Sequence, residues 1–167
     1  MTLLARAMLA FLILPGTFAF FVPLVLLAPG GPGSFVDALG LLPLLVGFGL
    51  LLWCVREFYV AGRGTLAPWA PPRELVETGP YRFSRNPMYV AVLLLLCGWA
   101  LGFRSRTLLL YAVAVLFAFH LRVVLYEEPW LARTHGEKWM LYKAHVPRWV
   151  WCGLLISRSS LISRLLL

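Results

Sequence analysis

Apolar runs such as LLPLLVGFGLLLW and VAVLLLLCGWAL alternate along this chain with two segments crowded with Pro, Gly, Arg and Tyr. A bilayer core of roughly 30 Å takes about twenty helical residues at 1.5 Å each, so runs of this kind read as membrane helices. The pattern predicts four spans, near residues 3–28, 38–60, 88–103 and 107–127. Pro15 and Pro23 should kink the first. APGGPGSFVD makes a tight turn before the second, with Ser34 or Asp37 available as a cap. Trp53, Arg56 and Tyr59 read as interface anchors at the end of the second span. Only RSR separates the third span from the fourth, which makes them an antiparallel helical hairpin. The third span rises only about 24 Å, so the hairpin tip should sit shallow with Arg104 and Arg106 reaching outward. After Pro129, WLARTHGEKWMLYKAH reads as a cytosolic helix, and the tail 151–167 as an amphipathic interfacial segment.

The fold class expected is therefore all-α: a polytopic membrane protein of about four transmembrane helices with a cytosolic helix and an interfacial tail. Three regions follow: residues 1–60 with two spans, a core at 61–150, and the tail at 151–167. Lys and Arg bias orients the chain. Arg63, Arg73, Arg82 and Arg85 lie in one polar segment, and Arg133, Lys138, Lys143 and Arg148 in the other. Residues 29–37 hold no Lys or Arg, so both polar segments and both termini should face the cytoplasm. The N-terminal apolar stretch exceeds a signal peptide's core and is expected to remain as an anchor. The small chain points to a prokaryotic inner membrane.

Composition sharpens this reading. Of 167 residues, 61% are hydrophobic and 13% charged, against roughly 25% charged in a soluble domain. The net charge of +8 is scattered without a basic stripe, which argues against nucleic acid. Cys54, Cys97 and Cys152 lie far apart, and His120, His135 and His145 lack metal-ligand spacing, so no metal site is expected.

The chemistry concentrates where the hairpin's cytosolic ends bring Asn86-Pro87-Met88-Tyr89 near Tyr126-Glu127-Glu128. A pocket there has water on one side and lipid on the other. On an ideal helix His120 and Glu127 share a face, Arg122 and Tyr126 another. Two glutamates at a helix C-terminus oppose the helix dipole and need a cation. That cation is either Arg82 or Arg85, in a plain interfacial charge cluster, or a bound ligand. The arginines themselves read as lipid-facing anchors or as a grip on a carboxylate.

Together these residues resemble a known family. RELVETGPYRFSRNPMY is similar to the signature of the integral-membrane isoprenylcysteine carboxyl methyltransferase and phospholipid methyltransferase family, through Leu75, Val76, Gly79, Tyr81, Arg85, Pro87 and Tyr89. EEPWLARTHGEKWMLYKAHVPRW resembles its second block, through Glu127, Glu128, Gly136, Tyr142, Val146, Pro147 and Arg148. The resemblance implies an S-adenosylmethionine-dependent methyltransferase acting on a lipidic or small hydrophobic acceptor drawn from the bilayer. It also implies cofactor contacts from Glu74, Leu75, Val76, Tyr81, Pro87, Met88, Tyr89 and one or both of Glu127 and Glu128. Gly79, Arg82, Arg85 and Asn86 join them within the same block. Glu127 or Glu128 would hold the cofactor's cationic part, and Arg82 or Arg85 its carboxylate. Arg122 or Arg148 would orient an acidic substrate, whereas an amine or thiol acceptor would need a base, His145 or a glutamate. Asn86 stands where the family usually has His, which removes an imidazole base there, and Arg73 where some members have His. Alternatives are an NADPH-dependent membrane reductase of related architecture and a non-catalytic lipid-binding membrane protein.

Overall fold

Two of the described helix starts follow from short polar residues, Asp37 and Ser105. In the computed structural model, which describes residues 12–27, 37–61 and 74–149, the Asp37 carboxylate accepts the Leu39 N–H at 3.0 Å. One tight turn, Ala38–Gly40, then runs into a long helix. Ser34, Arg63, Arg73, the first residues of the expected first span and the tail 151–167 lie outside the described residues.

All regular structure among the described residues is helical. We number α1 (Val22–Leu27), α2 (Leu41–Val60), α3 (Pro87–Gly102), α4 (Arg106–Arg122), α5 (Glu128–His135) and α6 (Glu137–His145). A wide-turned stretch, Leu12–Phe21, leads into α1. Pro23 lies at the change from wide to ordinary turns, as a kinking proline should. It offers no N–H to the carbonyls four and five residues back, those of Ala19 and Phe18. Those oxygens instead receive the Trp99 indole N–H at 3.0 Å and the Tyr111 hydroxyl at 3.3 Å.

Glycine sets how closely α2 and α3 pack. A Cβ at Gly40 would stand 2.5 Å from the Gly102 nitrogen, and one at Gly98 2.5 Å from Leu44 Cγ. A Cβ at Gly47 would lie 2.9 Å from the Ala91 carbonyl oxygen. Small residues spaced like Gly98 and Gly102 let helix backbones approach where lipid supplies no hydrophobic drive. Leu51, Ala91, Val92, Leu95, Leu96, Ala112, Val115 and Phe119 fill the core between α2, α3 and α4.

The hairpin forms as expected. Ser105 caps α4 by accepting the Leu108 N–H at 3.3 Å, and Arg104 at the tip pairs with Asp37 at 3.3 Å. Asp37 and Arg104 thus mark one end of the molecule.

Two stretches, Ala38–Val60 and Arg106–His135, are long and apolar enough to cross a membrane, while Gly16–Leu27 and Pro87–Gly102 are shorter apolar helices. Only 22% and 28% of the two long stretches' apolar windows is buried, far less than the core helix of a soluble protein would hide.

One boundary differs from expectation. The fourth span does not stop at residue 127; its helix continues through Pro129 to His135. Val123–Glu127 winds with wide turns, and the Glu128 N–H reaches back five residues to the Val123 carbonyl. The wider turn makes room for a proline ring that an ordinary helix would reject. Glu127 and Glu128 therefore lie inside a continuous helix rather than at its end.

The glycine contacts predict a contrast. Gly40→Ala meets backbone that cannot yield, and should cost about 1–3 kcal/mol, read as a lower thermal midpoint in detergent. Gly49→Ala, where an added Cβ meets nothing within 4 Å, should leave the midpoint unchanged or slightly raised.

Candidate functional site

At the end opposite Asp37, four pieces of chain converge: the C-terminus of α2, the turn Gly79–Arg82, the start of α3, and the run from Val123 through residue 149. Glu128 is the hub. Its carboxylate takes a two-toothed pair from Arg148, Nε to Oε1 at 2.7 Å and Nη2 to Oε2 at 3.0 Å. Arg85 Nη1 reaches the same Oε1 at 2.9 Å, and Lys143 Nζ lies 3.9 Å from Oε2. The Glu128 and Arg85 side chains are 10% and 9% exposed, so the pair is largely out of water.

The backbone ties the same two segments. The Arg85 N–H donates to the Pro147 carbonyl at 2.9 Å. The Arg148 carbonyl accepts from Ser84 Oγ at 3.2 Å and from Asn86 Nδ2 at 3.1 Å. Asn86 also donates its own N–H to Ser84 Oγ. Asn86 therefore works here as a strap between segments. Burial lowers the Arg85 guanidinium's pKa while Glu128 opposes that, and the hydrogen bonds to Glu128 raise that of Arg148. Arg85 further lies over the Trp139 ring, 5.6 Å from its centroid.

Glu127 forms a second, wetter cluster. Arg122 Nε donates to its Oε1 at 2.8 Å, and the Tyr89 hydroxyl donates to the same oxygen. Residues five apart sit about 140° around an ordinary helix, so an Arg122–Glu127 pair was not legible from an ideal wheel. The wide turns of Val123–Glu127 bring them onto one face. His120, expected beside Glu127, is exposed and stacks on Trp149 instead. Tyr89 stacks on Phe119 with ring centroids 4.3 Å apart.

The remaining candidates divide by burial. Val76 and Tyr81 pack with Cys54 in a small core, against Phe58 and Met88. The Tyr81 carbonyl accepts the Tyr142 hydroxyl at 2.8 Å, and burial raises the Tyr142 phenol's pKa, so it stays protonated and donates. Leu75 packs against Trp139, Tyr142 and Val146. Pro87 is buried at the first turn of α3, where its missing N–H costs nothing. Glu74 and Arg82 are exposed.

Beside the turn, an open groove of about 570 Å³ is lined by Glu77, Arg82, Lys138, Leu141, Tyr142, His145 and Val146. Its size lies within the range of small-molecule clefts. Sequence reasoning did not single out Glu77 or Leu141, and named Lys138 only for orientation. Nor did it find Glu57, Thr78 or Ser84 as partners, because none carries a pattern before the fold brings its neighbour.

Fold and site thus define a helical, apolar-faced protein with a polar junction at one end, made from two sequence segments. The sequence model of the family described as phospholipid methyltransferase matches residues 36–138, more than half of the chain, and the chain belongs to that family. No curated protein and no solved structure matches it significantly.

Glu128→Gln should strip the neutralising charge from a buried guanidinium, which typically costs 3–5 kcal/mol. The expected result is a large fall in thermal midpoint in detergent, with Arg122→Gln, at the exposed pair, changing it little.

Proposed function

We propose that this protein is an integral membrane methyltransferase that uses S-adenosylmethionine to methylate a lipidic acceptor from the bilayer. The observation that carries the reading is the interlock of residues 84–86 with residues 147–148. Those are the two blocks through which the chain resembles the methyltransferases, and beside them lies a groove open to the aqueous end. Membership of the phospholipid methyltransferase family supports the reaction class. Four spans, cytoplasmic termini and a prokaryotic inner membrane complete the proposal, with the shorter helices α1 and α3 crossing beside the two long ones.

The residues present fit such a cofactor. Among the described residues, Arg85 Nε is a buried donor without an acceptor, and a carboxylate oxygen is the kind of group it would pair with. Arg82 lines the groove, and Tyr81 stands behind it through its bond to Tyr142. The two glutamates take different roles. Glu128 is committed to Arg85 and Arg148, and holds the site closed. Glu127 is 26% exposed and pairs with an Arg122 that is 51% exposed. Exposed pairs are worth little and exchange readily, so Glu127 is the carboxylate free to take an ammonium or sulfonium. Bound there, the cofactor supplies an electrophilic methyl group on a positively charged sulfur.

The chain's own work is then positioning and exclusion of water. An amine acceptor, as in a phospholipid headgroup, must also lose a proton. His145 lines the groove, and its Nδ1 faces the Leu141 carbonyl at 2.8 Å. A carbonyl only accepts, so Nδ1 carries the hydrogen, and in the neutral ring Nε2 is the nitrogen with a lone pair for a base's role. An anionic acceptor needs no base, and Arg122 would orient it.

Glu127→Gln should weaken S-adenosylmethionine binding about tenfold by calorimetry in detergent, with the thermal midpoint of the unliganded protein near wild type. Unchanged affinity would remove the role given to Glu127.

A further inference from the structure

A third carboxylate lies outside both blocks. Glu57, near the C-terminus of α2, has a side chain only 9% exposed. A negative charge at a helix C-terminus opposes the helix dipole, and burial adds a desolvation cost. Three donors compensate. Thr78 Oγ1 donates to Oε2 at 2.6 Å, Arg56 Nη1 to Oε1 at 3.0 Å, and Trp53 Nε1 to Oε1 at 3.3 Å.

A merely satisfied surface group would end there, but the turn is seated directly on this carboxylate. Gly79 has φ +57°, a conformation that favours glycine. A Cβ at Gly79 would stand 2.7 Å from Glu57 Cγ, 2.8 Å from its Cδ and 2.9 Å from Trp53 Nε1. Glycine thus meets two demands at once, the backbone twist and the close approach. Two residues further on, the Tyr81 ring packs edge-on against Phe58 at 5.4 Å. Arg82 follows, on the groove wall.

We infer that Glu57 is a positioning residue: its hydrogen-bonded latch to Thr78, closed over Gly79, sets where the turn holds Arg82 on the groove wall and Tyr81 in the core behind it. The latch stands on geometry alone; its effect on cofactor affinity rests on the methyltransferase reading. Because Arg56 is 67% exposed, its ion pair contributes little, and the latch works through hydrogen bonds rather than net charge. Gln at 57 can accept from Trp53 and donate to the Thr78 hydroxyl, so it should preserve the latch, whereas Ala should not.

The experiment compares wild type, Glu57→Gln, Glu57→Ala and Thr78→Val as full chains in detergent. Amide hydrogen exchange without cofactor reads the turn, whose Tyr81, Phe83 and Ser84 N–H groups bond within it. Exchange there should speed up in Glu57→Ala and Thr78→Val and stay near wild type in Glu57→Gln. The KM for S-adenosylmethionine should rise roughly tenfold in the first two, with kcat at saturation much less affected. Thr78→Val removes one exposed hydroxyl and keeps the result readable if Glu57→Ala folds poorly. Unchanged exchange, equal loss in Gln and Ala, or a loosened turn with an unchanged KM would each overturn the inference. A wild-type chain that binds no S-adenosylmethionine would instead sink the methyltransferase reading, and exchange alone would then decide the latch.

Discussion

Glu128 is the point at which two stretches more than forty residues apart become one site. Two guanidiniums converge on its carboxylate, one from each stretch, with a third cation at the margin. Taking such a group out of water is expensive unless geometry and hydrogen bonding compensate. Here the two-toothed Arg148 pair and the Arg85 bond do so, and the backbone bonds of residues 84–86 to 147–148 fix the register. Without that carboxylate, two arginines would face each other at the junction, and only the bonds of residues 84–86 to 147–148 and of Tyr142 to Tyr81 would hold the C-terminal block over the start of α3.

The scaffold beneath is set by glycine and by wide helical turns. Close packing of α2 on α3 through Gly40, Gly47, Gly98 and Gly102 carries Glu57 and the turn it supports to the same end as α3's first residues. The wide turns of Val123–Glu127 let one helix pass Pro129 while pointing Glu127 toward Tyr89 and Arg122, and Glu128 toward Arg85 and Arg148. An ordinary helix could not direct the adjacent carboxylates into these two clusters with the same partners.

Much of this was legible before the structure. Apolar periodicity and run length located α2 and the α3–α4 hairpin, because burial in lipid leaves a strong compositional mark. Asp37 as a cap and Pro87 as a helix start follow from local backbone chemistry. The convergence of the two polar blocks was expected from the short hairpin. What escaped was whatever depends on winding or on distant partners. A 3.6-residue wheel paired His120 with Glu127, where wide turns pair Arg122 with it. Glu57 drew no reading in the sequence, since its meaning lies in Thr78 and Gly79 across the fold. Both glutamates looked alike in sequence; burial and partners separate Glu128, held by Arg85 and Arg148, from the wetter Glu127, held by Arg122 and Tyr89.

The most direct measurement is amide hydrogen exchange of the whole protein in detergent, with and without S-adenosylmethionine. If the two blocks form one cofactor site, protection should appear together in residues 76–89 and in residues 123–148, with the Asp37–Arg104 end unchanged. Protection confined to one block, or absent from both, would contradict the account.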